Sequence, residues 1–336
     1  MAYASRHSYY LLGSTVSFLQ VFAYWWGEYT HLLFENMDRW WNPPLIILYA
    51  SVGITILAVW KGLRVTRPYP PLSVSPIRFV NLGGLRMAGL GCLIEIGAGV
   101  WSETAHYVSP AEVGISPAYA LLSIGMLTVN LGIVVGLTIE YDMIKRGFIV
   151  VATVKRWVTA LCVLLSFSAI WLAASGSFIY LGQVHGSFLL NWAAAVLLGL
   201  VGTLVLVCAK RAMPKLGSVI AIGCVFNAVA YFFLVFYGRV APYIPWGLLP
   251  LSLFDLLASG LGRMFRFTRV LVLCSMVLGV FCWAVYFPFT RFLFPWSFSL
   301  QFSTAAVIFG SVAGGWMGIR VYAGLSSVVL RDVATV

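Results

Sequence analysis

Glu95-Ile-Gly-Ala-Gly-Val-Trp-Ser-Glu-Thr-Ala-His106 ends an apolar run that begins near residue 80. A run of about 20 apolar residues is the length that crosses a bilayer as a helix. Glu103 and His106 are three apart and share a helix face. Glu95 lies eleven residues before His106, about three full turns, so it falls on the same face roughly 16 Å deeper. The pattern has an earlier copy. Gln20, Trp26, Glu28 and His31 repeat the spacing of Glu95, Trp101, Glu103 and His106, 75 residues upstream.

Around this stretch the chain is apolar throughout. Of its 336 residues 61% are hydrophobic and 9% charged, against about 25% charged in soluble domains. Mean hydropathy is +0.96. Apolar runs predict helices over 11–30, 43–61, 80–101, 117–139, 157–181, 187–208, 217–237, 246–262, 268–287 and 299–320. Lipid offers backbone groups no partner, so runs of this length span as helices. The expected fold is all-α: a polytopic integral membrane protein with about ten transmembrane helices. They form five hairpins, 11–61, 80–139, 157–208, 217–262 and 268–320, within one domain over 1–336. Hairpins 1 and 2 are an internal repeat. The run from Leu11 is a retained helix, because no small-x-small cleavage site follows it.

Basic residues fix the orientation. Arg6, Lys61, Arg64, Arg67, Arg78, Arg86, Lys145, Arg146, Lys155, Arg156, Lys210, Arg211, Lys215, Arg263, Arg266, Arg269, Arg320 and Arg331 lie in or beside the linkers between hairpins and the termini. Only Arg39, Arg239 and Arg291 lie on the turn side. Positively charged loops stay in the cytoplasm, so both termini are expected there, in a multi-pass protein of the cell membrane. The formal charge of +11 forms no stripe or module that would bind nucleic acid. Residues 38–42, with two indoles, suit the outer headgroup belt. Residues 141–156 suit an amphipathic segment on the inner surface. His7 reads as surface, and Glu140 with Asp142 as a solvated charge cluster. The six cysteines, at 92, 162, 208, 224, 274 and 282, read as small buried hydrophobes.

The candidate chemistry lies at the repeated stretch. Glu28, His31, Glu103 and His106 are a possible metal set, since Glu-x-x-His on two helices is the pattern of carboxylate-bridged dinuclear sites. His31 and His106, joined by His185, are alternatively haem ligands or the proton-accepting groups of a quinone site. Glu95 and Asp255 are acids within spans, expensive to hold there and so expected to be catalytic or proton-carrying. Phosphate-loop, dinucleotide and His-Glu-x-x-His motifs are missing from the sequence. The expected function is a membrane-integral subunit of a respiratory-type redox complex, working with other membrane or peripheral subunits. Its metal ion, haem or quinone would bind near the outer face. The alternatives are a secondary transporter using Glu95 and Asp255, and a non-catalytic subunit of a large membrane assembly.

Overall fold

A computed structural model describes residues 2–33, 43–64, 76–108, 117–147, 152–184, 188–236, 248–262, 269–280 and 300–334. Every regular element among them is an α-helix. In order these are α1 Ala2–Leu33, α2 Pro43–Arg64, α3 Pro76–Val108, α4 Pro117–Lys145 and α5 Thr153–Val184. They continue with α6 Phe188–Ala212, α7 Ser218–Phe236 and α8 Leu248–Leu261. The last two are α9 Arg269–Val280 and α10 Leu300–Ala334. Six of the ten, α2 to α6 and α10, contain a stretch long and apolar enough to cross a membrane. The apolar helices fit a membrane protein in contact with lipid.

Each expected span contains a helix, but many helices outrun their apolar core. α1 begins at Ala2 rather than 11, and α10 continues to Ala334 rather than 320. Lipid limits only the apolar length. The helical backbone itself continues while each N–H finds its carbonyl. Proline opens α2, α3 and α4, where its missing N–H breaks no bond. One surface expectation is corrected here. Residues 141–145 are the last turn of α4 and 153–156 the first of α5, so 141–156 is not one amphipathic segment. α4 closes on Gly147, whose φ of 81° is the left-handed cap glycine tolerates. The Gly147 N–H donates to the Ile144 carbonyl at 3.2 Å.

Contacts gather the chain into two units, Met1–Ala173 with Gly324–Val336, and Ala174–Ala323. In the first unit α1 packs on α2 and α4, and α3 packs on α4 and α2, closing a four-helix ring. α3 shows why. Gly84, Leu85, Ala88, Gly91, Cys92, Glu95, Ala98 and Gly99 are buried, while Leu90, Leu93, Gly97 and Val100 are exposed. The buried set recurs every three or four residues, one helical stripe, and Glu95 stands in its middle. The outer face is as apolar as the inner one, which suits lipid rather than water. Glycines bring α3 and α4 together at Glu95. A Cβ on Gly91 would lie 2.6 Å from the Gly125 carbonyl oxygen, and one on Gly125 would lie 2.5 Å from Glu95 Cγ.

In the second unit Gly310, Gly314 and Gly318 of α10 lie against Val196, Leu200 and Leu204 of α6. Small residues every fourth position let two helices approach at backbone distance. α7 packs on α8, with Gly223 beneath Leu251.

Candidate functional site

α1 buries a series of polar side chains. His7, Ser14, Ser17 and Gln20 are each at most 1% exposed. Their spacing of seven, three and three residues keeps neighbours within about 60° of one another around the helix, from 100° per residue. These side chains form a seam that faces α5 at one end and α3 at the other.

At the N-terminal end, His7 Nδ1 lies 2.6 Å from Glu140 Oε2 of α4, and Nε2 lies 3.0 Å from Thr159 Oγ1 of α5. The Thr159 hydroxyl also lies 2.7 Å from the Lys155 carbonyl. A hydroxyl has one hydrogen, and the carbonyl can only accept it. Both Thr159 bonds are made when Nε2–H donates to Oγ1. The contact between Nδ1 and Oε2 then needs one further hydrogen. His7 thus ties α1 to both α4 and α5. This corrects two expectations: His7 is not at the surface, and Glu140 is fully buried rather than solvated. Asp142 is buried as well, bonded at 2.8 Å to Arg146 one turn on.

Next along the seam, the Ser14 hydroxyl donates to the Cys162 carbonyl at 2.7 Å and accepts from Ser166 at 2.8 Å. Ser17 donates to the Ser14 carbonyl at 3.2 Å. Trp25 then ties α1 to α5 again, through an indole N–H to the Leu172 carbonyl at 3.1 Å.

At the centre of the ring Gln20 Nε2 donates to Glu95 Oε2 in a short contact. Both side chains are buried. Among the described residues Gln20 Oε1 and Glu95 Oε1 have no hydrogen-bond partner. A buried polar atom left this way costs about 1–3 kcal/mol, so the pair is polar, central and incomplete. Near it the Tyr24 and Ser123 hydroxyls lie 3.4 Å apart.

Asp255, in the second unit, is the opposite case. It does not stand free in mid-span. It reaches the turn between α6 and α7, where Lys210 Nζ donates to its Oδ1. The same ammonium donates to the Lys215 carbonyl at 3.0 Å and to Ser259 Oγ at 2.7 Å. The backbone N–H groups of Gly217, Val219 and Ile220 donate to Asp255 Oδ2 at 3.0, 3.0 and 3.2 Å. Asp255 thus caps the N-terminus of α7 from a neighbouring helix, where helix N–H groups favour an anion. Gly217, with φ of 98°, permits the turn. Lys210 and Asp255 are both wholly buried, so Lys210 is no loose linker cation.

The outer group is only partly in view. Glu28 and His31 lie within α1, and Glu103 and His106 within α3, so each pair keeps its helical spacing. Their side chains lie outside the described residues, as do Glu35, Asp38, Glu112 and His185. Among the described residues no three His, Cys, Asp or Glu side chains cluster as a metal site. Cys92, Cys162, Cys208 and Cys274 are buried as expected, whereas Cys224 is exposed on the apolar helix α7. Cys282 is outside the described residues.

No protein-family model, curated protein or solved structure matches this chain.

Proposed function

We propose that the chain is a proton-coupled membrane transporter in which Glu95 takes up and releases the coupling proton. The observation that carries this reading is the incomplete Gln20–Glu95 pair at the centre of the first unit's helix ring. A proton on the carboxyl supplies the hydrogen that the two partnerless oxygens lack. The polar seam of α1 supports it further. It runs from the buried His7–Glu140 pair, on the basic side that the charge rule predicts to be cytoplasmic, through two serines to Gln20. From His7 to Gln20 is 13 residues, about 20 Å along the helix. Intramembrane acids facing a bundle interior are the usual elements of such paths.

Asp255 belongs to the scaffold in this reading. Its carboxylate holds a buried ammonium and three backbone amides, which tie α6, α7 and α8 together.

The test uses purified protein in liposomes under an imposed proton gradient, with a trapped pH-sensitive dye. Amino acids, sugars, organic acids and amphiphiles are supplied in turn. At least one class is expected to accelerate proton movement above the leak, and Glu95→Gln to remove the acceleration. No acceleration by any class, or an unaffected Glu95→Gln, overturns the proposal.

The second reading is a redox subunit with a metal, haem or quinone at the outer ends of α1 and α3. The recurrence of helical Glu-x-x-His there favours it. It predicts a chromophore or stoichiometric metal in the purified protein, lost on replacing His31 and His106 together.

A further inference from the structure

The contacts of the first unit contain a numerical regularity. The contacts between α1 and α4 include Tyr10 with Gly136, Gly13 with Ile133, and Tyr24 with Ser123. Those between α3 and α2 include Leu85 with Gly62, Gly89 with Val59, and Gly99 with Tyr49. Taken in that order, the second set reproduces the first. From α1 to α3 the residue numbers rise by 75 (10 to 85), 76 (13 to 89) and 75 (24 to 99). From α2 to α4 they rise by 74 every time: 62 to 136, 59 to 133 and 49 to 123. A contact inside the first hairpin behaves likewise. Gly62 meets Tyr9, and Gly84 meets Gly136, again shifts of 75 and 74. The first prolines of α2 and α4, at 43 and 117, also differ by 74.

A rotation that carries α1 onto α3 and α2 onto α4 must carry α1–α4 contacts onto α3–α2 contacts, as these do. In each set the numbers rise on one helix as they fall on the other, so α1 is antiparallel to α4 and α3 to α2. Tyr9 meets Gly62 and Gly27 meets Pro44, which makes α1 antiparallel to α2, so α1 and α3 run parallel. The rotation axis therefore runs along the helices. Gln20 and Glu95 differ by 75 and touch each other. Two positions that exchange under a two-fold rotation and also touch must lie on its axis.

We propose that Gln20 and Glu95 are the two halves of a single proton-binding site on a pseudo-two-fold axis between hairpins α1–α2 and α3–α4, and that the carboxyl works from either position. The inference deepens the transporter reading and rests on it for the identity of the ligand. The axial position explains the stoichiometry. A pair of acids there would set two like charges in contact, while a pair of amides would hold no exchangeable proton. One acid facing one amide holds one proton between two equivalent surroundings. The symmetry-related helices α4 and α2 flank the pair on both sides, so an exchanged acid meets the same kinds of helix face.

The experiment compares wild type, Glu95→Gln and the exchange variant Gln20→Glu/Glu95→Gln. Acid-minus-alkaline infrared difference spectra read the carbonyl band of a buried carboxylic acid. Proton flux in liposomes is measured in parallel. One band is expected to vanish in Glu95→Gln and return in the exchange variant, with flux lost and regained together. Glu and Gln have the same shape, so all three proteins are expected to fold. An exchange variant that unfolds while Glu95→Gln does not, or that folds without regaining the band, overturns the inference. If the band is regained while no protein, wild type included, moves protons, the axial site stands and the transporter reading falls.

Discussion

Glu95 and Asp255 are both buried acids on helices of an apolar chain, and they are held in contrasting ways. Asp255 accepts from an ammonium and three backbone amides, and its lysine is itself fully engaged. Glu95 has one amide donor, and among the described residues an oxygen on each side of the pair has no partner. A carboxylate with every partner in place has its charge fixed by its surroundings. One with a single partner can exist with or without a proton while its neighbours stay where they are. Completeness of hydrogen bonding, rather than burial, separates the scaffold acid from the candidate working one.

The contrast can be broken most directly at Asp255. Asp255→Ala strands the Lys210 charge and three amides, and breaking a buried pair from one side costs about 3–5 kcal/mol. Unfolding of the purified protein in detergent should register that loss. Combining Asp255→Leu with Lys210→Met should recover part of it, because the uncompensated charge is gone. A stable Asp255→Ala protein would remove the distinction between the two acids.

A smaller effect sharpens the picture of the Glu95 pocket. Gly125→Ala puts a methyl group against Glu95 Cγ, and overpacking of that kind costs about 1–3 kcal/mol. Gly97→Ala meets nothing within 4 Å and should be neutral or slightly stabilising in the same assay. Equal behaviour of the two would mean that the close approach of α3 and α4 at Glu95 is not what holds the ring.

The smallest change in stability is expected at Glu95 itself. Glu95→Gln keeps the shape and keeps a carbonyl to accept from Gln20, so unfolding should shift by less than about 1 kcal/mol, below the net worth of a typical hydrogen bond. Proton flux should be lost all the same. A large stability loss at Glu95 instead would place it with Asp255 in the scaffold.

The helices were legible because lipid imposes one strong rule, and apolar runs of span length obey it. The 75-residue spacing from Gln20 to Glu95 was legible too, since it needs only matching side chains at fixed offset. What escaped was how the charges near helix ends are used. His7, Glu140 and Lys210 look the same in sequence whether a helix end meets water or a neighbouring helix. Their partners lie 133 residues away for His7 and Glu140, and 45 for Lys210 and Asp255, beyond any local pattern. One local signal was present: His7, Ser14, Ser17 and Gln20 form a polar stripe on α1. The partners of Asp255 escape the sequence for a related reason. Its place in the middle of a short helix says nothing of the α6–α7 turn folded against it.

The cap that Asp255 places on α7 has a consequence for biosynthesis. A chain emerging from the ribosome makes Lys210 and the start of α7 some 40 residues before it makes Asp255. Until then the Lys210 ammonium and the first amides of α7 lack the carboxylate that joins them. Arrival of α8 settles both at one stroke, so the three helices become a committed unit only when the last is in place. A premature stop between residues 220 and 254 would leave an inserted fragment bearing an exposed charge, the kind of feature by which membrane quality control can tell an unfinished protein from a finished one.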